Sequence, residues 1–434
     1  MKEPNAPQKA MAKPPAMRRL ILLGAGASAE AGIPTAAKMT AGILAKLDNS
    51  TDSVRIRHAV RVAVSTVMFG QGLRGEDPTG GVNIEEVFNI LDTLAKRHQL
   101  EAAPLIGSWN PIVEKLDVVT TGGKVRRTSV GGTVSSFEAR DDARRIAEAL
   151  SGVAHAPGSW SDGKLADALE RVLNPRGSFR SQPPVAEPYR DVPAQGRFFE
   201  QAQVFLRDQL KEFVWKRDDA ALDYLHALVE SAGQDTPPTP IVTLNYDNCI
   251  ERVAKSIGVQ LDTFINEWRD WKDFGFGSYE GIPYLKLHGS ITWAKSEAEA
   301  RERRTMKRVV FSECSDVEIA KEDFVPAVIF GGRNKLTAEG PFLDLLLRFR
   351  DELRRTTEVV VVGYSFADGH VNELIAQWFN ENEAGRVTVI NGENFRAKAN
   401  VFALELLEHA DRVIDLGKDA GAGIAEFFGN TVRE

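Results

Sequence analysis

Five short stretches of this 434-residue sequence place glycine, asparagine, aspartate, histidine or serine directly after an apolar run. The first is Gly24-Ala25-Gly26-Ala27-Ser28, which follows Leu20-Ile21-Leu22-Leu23. Glycines at that spacing let a backbone turn sharply and approach a phosphate, while the N–H groups of a following helix face the anion. A plain strand–helix turn uses the same pattern. The second stretch is Thr243-Leu244-Asn245-Tyr246-Asp247. There Asp247 or Asn248 could cap the next helix, and Asn245 could hold a hydroxyl or a water without adding charge. The third is Leu287-His288-Gly289. Imidazole is the side chain that exchanges protons near neutral pH, so His288 is a candidate general base, although a histidine at a strand end is often structural. Gly363-Tyr364-Ser365 and Asn391-Gly392-Glu393 complete the set, as caps, turns or ligand contacts.

The elements that must position these residues are β-branched runs at 19–24, 240–245, 284–289, 358–365 and 386–391. Interleaved with helical segments, they predict an α/β fold, a Rossmann-like parallel sheet with helices on both faces. A further strand is expected within 324–331. Open α/β sheets bind ligands at the carboxyl ends of their strands, which is where all five polar clusters fall. Between the first and second strands the periodicity is helical, over 53–69, 84–98, 141–150, 163–173 and 197–229. Loops are expected at 120–136, rich in Gly, Thr and Ser, and at 174–195. The expected organisation is a disordered tail over 1–18, a catalytic domain split between 19–50 and 236–434, and a mostly helical insertion over 51–235. An ordinary dinucleotide-dependent dehydrogenase needs a second strand ending in an acidic residue for the ribose. Here the first helix runs into Asp48-Asn49-Ser50-Thr51 and another helix, which counts against that chemistry.

The string GAGASAEAGIP over 24–34 resembles the first signature of the sirtuins, and Thr-x-Asn-x-Asp followed by Leu-His-Gly resembles their next two strand ends, in the same order. The resemblance covers 19–40 and 240–394. It implies a substrate, NAD⁺, whose nicotinamide–ribose bond is broken through an oxocarbenium-like state. Gly24, Ala25, Gly26 and Ser28 would then contact phosphate, and Ile33 and Pro34 would shape the nicotinamide side. Asn245 and His288 would be catalytic, with Asp247 accepting from the nicotinamide amide. Gly363, Ser365, Asn391 and Glu393 would serve the phosphate and the adenine ribose.

Three departures separate the chain from protein-deacylating sirtuins. Cys249 and Cys314 are the two cysteines, too few for the family's four-thiolate zinc site, so no zinc is expected. Thr35-Ala36-Ala37 follows Gly-Ile-Pro in place of the deacylase x-Phe-Arg, and Tyr246 stands where deacylases usually have Ile. Asn-Tyr-Asp together with Gly-Tyr-Ser-Phe-x-Asp-x-His resembles the sirtuin-like proteins of bacterial antiphage systems. That resemblance implies an NAD⁺ glycohydrolase producing ADP-ribose and nicotinamide. The alternatives are a protein deacylase or ADP-ribosyltransferase, which passes the ribose to another acceptor, and a non-catalytic NAD⁺ or ADP-ribose sensor. Retention of both Asn245 and His288 weighs against the sensor.

Composition sets outer bounds. With 54 basic and 61 acidic residues, the net charge of -7 gives no general reason to bind nucleic acid. No window is apolar enough to span a bilayer, and the basic, Pro- and Ala-rich start lacks the apolar core of a signal peptide, so a cytoplasmic protein is expected. No Walker sequence is present. An enzyme that destroys NAD⁺ needs restraint, and the resembling group works with partners. A homo-oligomer is therefore expected, with a DNA-translocating ATPase, an Argonaute-like protein or a phage component as candidate partners.

Overall fold

The computed structural model describes residues 18–49, 54–96, 197–219, 221–268, 280–298, 308–321, 324–328 and 340–429. The helices expected at 141–150 and 163–173, the loops at 120–136 and 174–195, and residues 1–17 of the expected tail lie outside them.

Seven strands, β1 (Arg19–Leu23), β2 (Ile241–Thr243), β3 (Leu261–Asp262), β4 (Ile282–Lys286), β8 (Glu358–Val362), β9 (Arg386–Ile390) and β10 (Val413–Asp415), form one sheet. Its order is β10-β9-β8-β1-β2-β4-β3 and every pairing is parallel. A central strand such as β1 is apolar along Leu20, Ile21, Leu22 and Leu23 for a physical reason. Successive side chains point to opposite faces, and both faces are covered: Ile21 and Leu23 enter one core, Leu20 and Leu22 the other. β8 divides the same way, Val360 and Val362 against Val359 and Val361. Each such side chain contributes about 1.5–3 kcal/mol relative to exposure, so the sheet centre is the stable base on which the strand ends are mounted.

One face is covered by α1 (Ala36–Asn49), α2 (Val54–Leu73), α3 (Ile84–Ala95), α4 (Arg197–Val214), α5 (His226–Gln234) and α6 (Cys249–Ile257). The other carries α8 (Phe342–Leu353), α9 (Gly369–Glu381) and α11 (Val401–Leu407). Two one-turn helices, α7 (Asp316–Ile319) and α10 (Phe395–Lys398), lie in connections, and α12 (Ala420–Phe428) returns to the first face. The insertion helices α2, α3 and α4 pack together and continue the first core. Ile84, Val87, Phe88 and Leu91 of α3 are buried at i, i+3, i+4 and i+7, the spacing of one helix face.

Three expectations need correction. The helix expected over 197–229 is broken. It stops at Val214, and a separate helix starts at His226. The Asn248 amide accounts for the break: its Oδ1 accepts from Lys216 N at 2.8 Å and its Nδ2 donates to Lys216 O at 2.9 Å. That fixes the backbone just past the helix end. Arg18 belongs to the fold and not to the tail, since its N donates to Thr357 Oγ1 and its carbonyl accepts from Thr357 N. The run 284–289 is not one strand: β4 ends at Lys286, and Gly289 opens β5 (Gly289–Ala298). The strand expected within 324–331 is present as β7 (Pro326–Val328); it pairs with β5, and with β6 (Arg308–Glu313) forms a separate antiparallel sheet ordered β6-β5-β7. The polar alternation of β5 hid it among loop signals.

Candidate functional site

The glycine loop is shaped by its neighbour strand. Gly24 N donates to Val362 O at 2.9 Å, and Gly26 N to Gly363 O at 2.8 Å. One 3-10 turn follows, Ala25–Ser28, and α1 begins only at Ala36. The expectation that this loop feeds directly into a helix is therefore corrected, because Gly32, at φ +82, turns the chain away before Ile33 and Pro34. The glycines permit close approach of two backbones. A Cβ on Gly26 would lie 2.7 Å from Gly363 Cα, and one on Gly363 would lie 2.0 Å from Ala27 N. Ala25 stands exposed, Ile33 is buried and Pro34 half-buried.

Asn245, at the end of β2, ties that strand to the glycine loop. Its Nδ2 donates to Gly24 O at 2.9 Å and to Ser28 Oγ at 3.1 Å, and its own N–H donates to Thr243 Oγ1 at 3.0 Å. Asp247 is buried, and its Oδ1 accepts from Cys249 N, the first residue of α6, at 3.1 Å. The Asp247 carbonyl receives the ammonium of Lys286, a side chain with no solvent exposure that also pairs with Glu251 Oε1 at 2.6 Å. Tyr284 donates to the other Glu251 oxygen at 3.1 Å. Burial, reinforced by the Glu251 charge, pushes the Tyr284 phenol well above its ordinary range. Burial and the neighbouring Asp247 carboxylate likewise push the Cys249 thiol up, so this cysteine stays a neutral core group.

His288 follows β4 and is buried. Its Nδ1 lies 3.1 Å from Leu244 O and its Nε2 lies 2.9 Å from Asp368 Oδ2. The Tyr246 ring stands 6.3 Å from the imidazole, and its hydroxyl donates to Glu85 Oε1 on α3 at 2.8 Å. Burial first, then the Glu85 and Asp368 charges, raise the Tyr246 phenol far above its usual range. The insertion thus reaches the loop between Asn245 and Asp247 through one hydrogen bond. It reaches the glycine loop through another, because Tyr224 donates to Ala27 O at 2.7 Å just ahead of α5.

On the other side of β1, Gly363 has φ +64 and lies against Gly26. Asn391 is buried and its Nδ2 donates to Tyr364 O at 2.8 Å, joining the ends of β9 and β8. Ser365 and Glu393 are exposed at the same end of the sheet. The structure therefore gathers the sequence-derived residues along the carboxyl edge of β9, β8, β1, β2 and β4. Asn245, Ser28, Gly24, Gly26 and Gly363 form one bonded group. His288 joins it through Leu244, whose N donates to Leu23 O at 3.0 Å. Asp247 faces its own helix. Residues 239–403 match the family model of a SIR2-like domain.

That stretch is similar to a SIR2-like domain. A solved structure, Sir2Tm bound to a propionylated peptide, is similar over 55% of this chain and 82% of that one, at 14% identity and a TM-score of 0.32. No curated protein matches. The SIR2-like match contains Asn245, His288, Gly363, Ser365, Asn391 and Glu393, and the glycine loop lies outside it. Among the described residues no group of three or more His, Cys, Asp or Glu is placed to hold a metal ion, and no helix is long and apolar enough to cross a membrane. Three site residues escaped the sequence reading. Lys286 carried a signal, a charge inside the apolar run Tyr-Leu-Lys-Leu. Asp368 announced only a helix cap. Glu85 gave none, because nothing local to α3 points to Tyr246.

Proposed function

We propose that this SIR2-like domain hydrolyses NAD⁺ to ADP-ribose and nicotinamide. The observation that carries the reading is the convergence of Asn245 and His288 at the carboxyl ends of adjacent strands, with Asn245 bonded to the glycine loop by 2.9 and 3.1 Å contacts. The exposed Ala25, Ser365 and Glu393 leave the same edge open to a dinucleotide, which is where α/β sheets take such ligands.

Cleavage breaks the ribose C1′–N bond, and its electron pair leaves with nicotinamide, which departs neutral without an acid. A water oxygen bonds to C1′, and the water proton passes to His288 and on to solvent. NAD⁺ and water thus give ADP-ribose, nicotinamide and a proton. Such proton transfer is typically worth roughly 10²–10⁴-fold. The Asn245 amide orients the ribose hydroxyl or the water without adding charge beside the developing cation. Because its Nδ2 is held by Gly24 O and Ser28 Oγ, its Oδ1 direction is set before substrate arrives. Gly363, Asn391, Ser365 and Glu393 take the phosphate and adenine-ribose side, Ile33 and Pro34 the nicotinamide side.

The same reading makes the protein a cytoplasmic effector of an antiphage system, on the resemblance of Asn245-Tyr246-Asp247 and of residues 363–370 to that group. It acts as an oligomer or with a partner engaging the helical insertion. The test is purified protein with NAD⁺ and no acylated peptide. The reading expects nicotinamide and ADP-ribose in equal amounts. Products that appear only when an acylated peptide is added would replace it with deacylation.

A further inference from the structure

Asp368 carries more interactions than a helix cap needs. Its Oδ1 accepts from His370 N at 3.0 Å and Val371 N at 3.4 Å, which caps α9. Capping is then complete, yet Oδ2 lies 2.9 Å from His288 Nε2, with both side chains under a tenth exposed. The turn that delivers this carboxylate is strained. Phe366, a bulky residue, has φ +56, a left-handed conformation that costs about 1–3 kcal/mol. It is held there because Asn372 and Asn400 both donate to its carbonyl and its ring packs on Tyr364, Phe395 and Phe402. Tyr364 fixes Asp368 from behind, accepting from Asp368 N at 3.1 Å and donating to Asp368 O at 3.2 Å.

The donors and acceptors then limit where protons sit. Leu244 O can only accept, so His288 Nδ1 carries a hydrogen. The remaining nitrogen faces a carboxylate oxygen, and a 2.9 Å contact between them requires one proton on that line. We infer that Asp368 is a positioning residue for the reaction: it holds the proton at His288 Nε2, so that the His288–Asp368 pair, and not the imidazole alone, exchanges a proton with the substrate. In hydrolysis the pair first gives its shared proton to solvent, and His288 Nε2 then takes the water proton as the C1′–O bond forms, which restores the pair. This inference rests on the reading of His288 as proton acceptor given above.

Two variants separate this role from capping, since Asn and Ser are both good N-caps. Asp368→Asn keeps the reach but not the carboxylate, and Asp368→Ser keeps only the cap. Both are expected to unfold within a few degrees of wild type, while kcat for nicotinamide release falls about 10²-fold and KM stays within about threefold. Unchanged kcat in both folded variants would leave Asp368 a cap and nothing more. A second readout needs no activity. Histidine-labelled, ligand-free protein examined by ¹H–¹⁵N NMR should show a proton on His288 Nε2 in wild type that Asp368→Asn removes. Its absence from wild type overturns the inference. An Nε2 proton in a wild type that releases no nicotinamide would instead uphold the pair and count against the proposed reaction.

Discussion

Gly363 and Gly32 make a controlled pair for testing why glycine stands at this site. Both have left-handed backbones, at φ +64 and +82. A Cβ on Gly32 meets nothing within 4 Å, so Gly32→Ala costs only the left-handed conformation, about 1–2 kcal/mol. A Cβ on Gly363 would lie 2.0 Å from Ala27 N and 2.3 Å from Gly26 C. Both are backbone atoms, so no side-chain rotation relieves the overlap, and the loop must retreat by about 1.5 Å to reach ordinary contact. That retreat breaks the 2.8 Å bond from Gly26 N to Gly363 O and draws Ser28 away from Asn245. Overpacking costs about 1–3 kcal/mol and each lost hydrogen bond about 1 kcal/mol. With the conformational cost, Gly363→Ala is expected to lose about 3–6 kcal/mol. Urea midpoints and slopes for the two variants measure the difference. Equal losses at the two positions would show that the β1 and β8 ends do not need this close approach.

Four further outcomes follow from the site and its surroundings. Lys286→Met leaves Asp247 O and Glu251 without their ammonium, and should lower stability by about 2–3 kcal/mol in denaturant titration. Tyr246→Phe removes the hydroxyl that meets Glu85; a loss of about 1–2 kcal/mol is expected, together with slower nicotinamide release, and an unchanged rate would remove the insertion from control of the site. Burial, against the opposing pull of Arg74, raises Glu86 above its ordinary 4.5. A raised carboxylate binds its proton more tightly when folded, so stability falls as pH climbs from 4.5 through the raised value. Glu86→Gln should flatten that part of the stability–pH curve and stabilise the protein at pH 7, as thermal melts across pH would read. Cys249, buried and with its thiol pushed up, should resist iodoacetamide at neutral pH until the protein is unfolded, as peptide mass mapping will show.

Much of the architecture was legible because both sides of the sheet are covered. A strand such as 358–362 must then be apolar along 359–362, and its end is marked by the first glycine and serine. The order of the motifs along the chain placed Asn245 and His288 at neighbouring strand ends. What escaped was set by contacts across long sequence distances. Helix α4 ends where Asn248, 32 residues on, takes its backbone, and no signal at 215–217 encodes that. Asp368 reads as a cap because Asp-Gly-His before an apolar helix says only that, while its second oxygen meets a histidine 80 residues earlier. The glycine spacing suits a phosphate turn and equally suits the close approach of Gly363 and Tyr364, since spacing alone cannot tell a ligand from a neighbouring backbone.

The central claim is that this edge of the sheet performs the cleavage. The most direct measurement is the rate of nicotinamide release from NAD⁺ by wild type, Asn245→Ala and His288→Ala, each checked for an unchanged melting profile. The account predicts release by wild type and at least roughly 10²-fold less by either variant. Wild-type rates in both folded variants would contradict it and move the chemistry elsewhere in the chain.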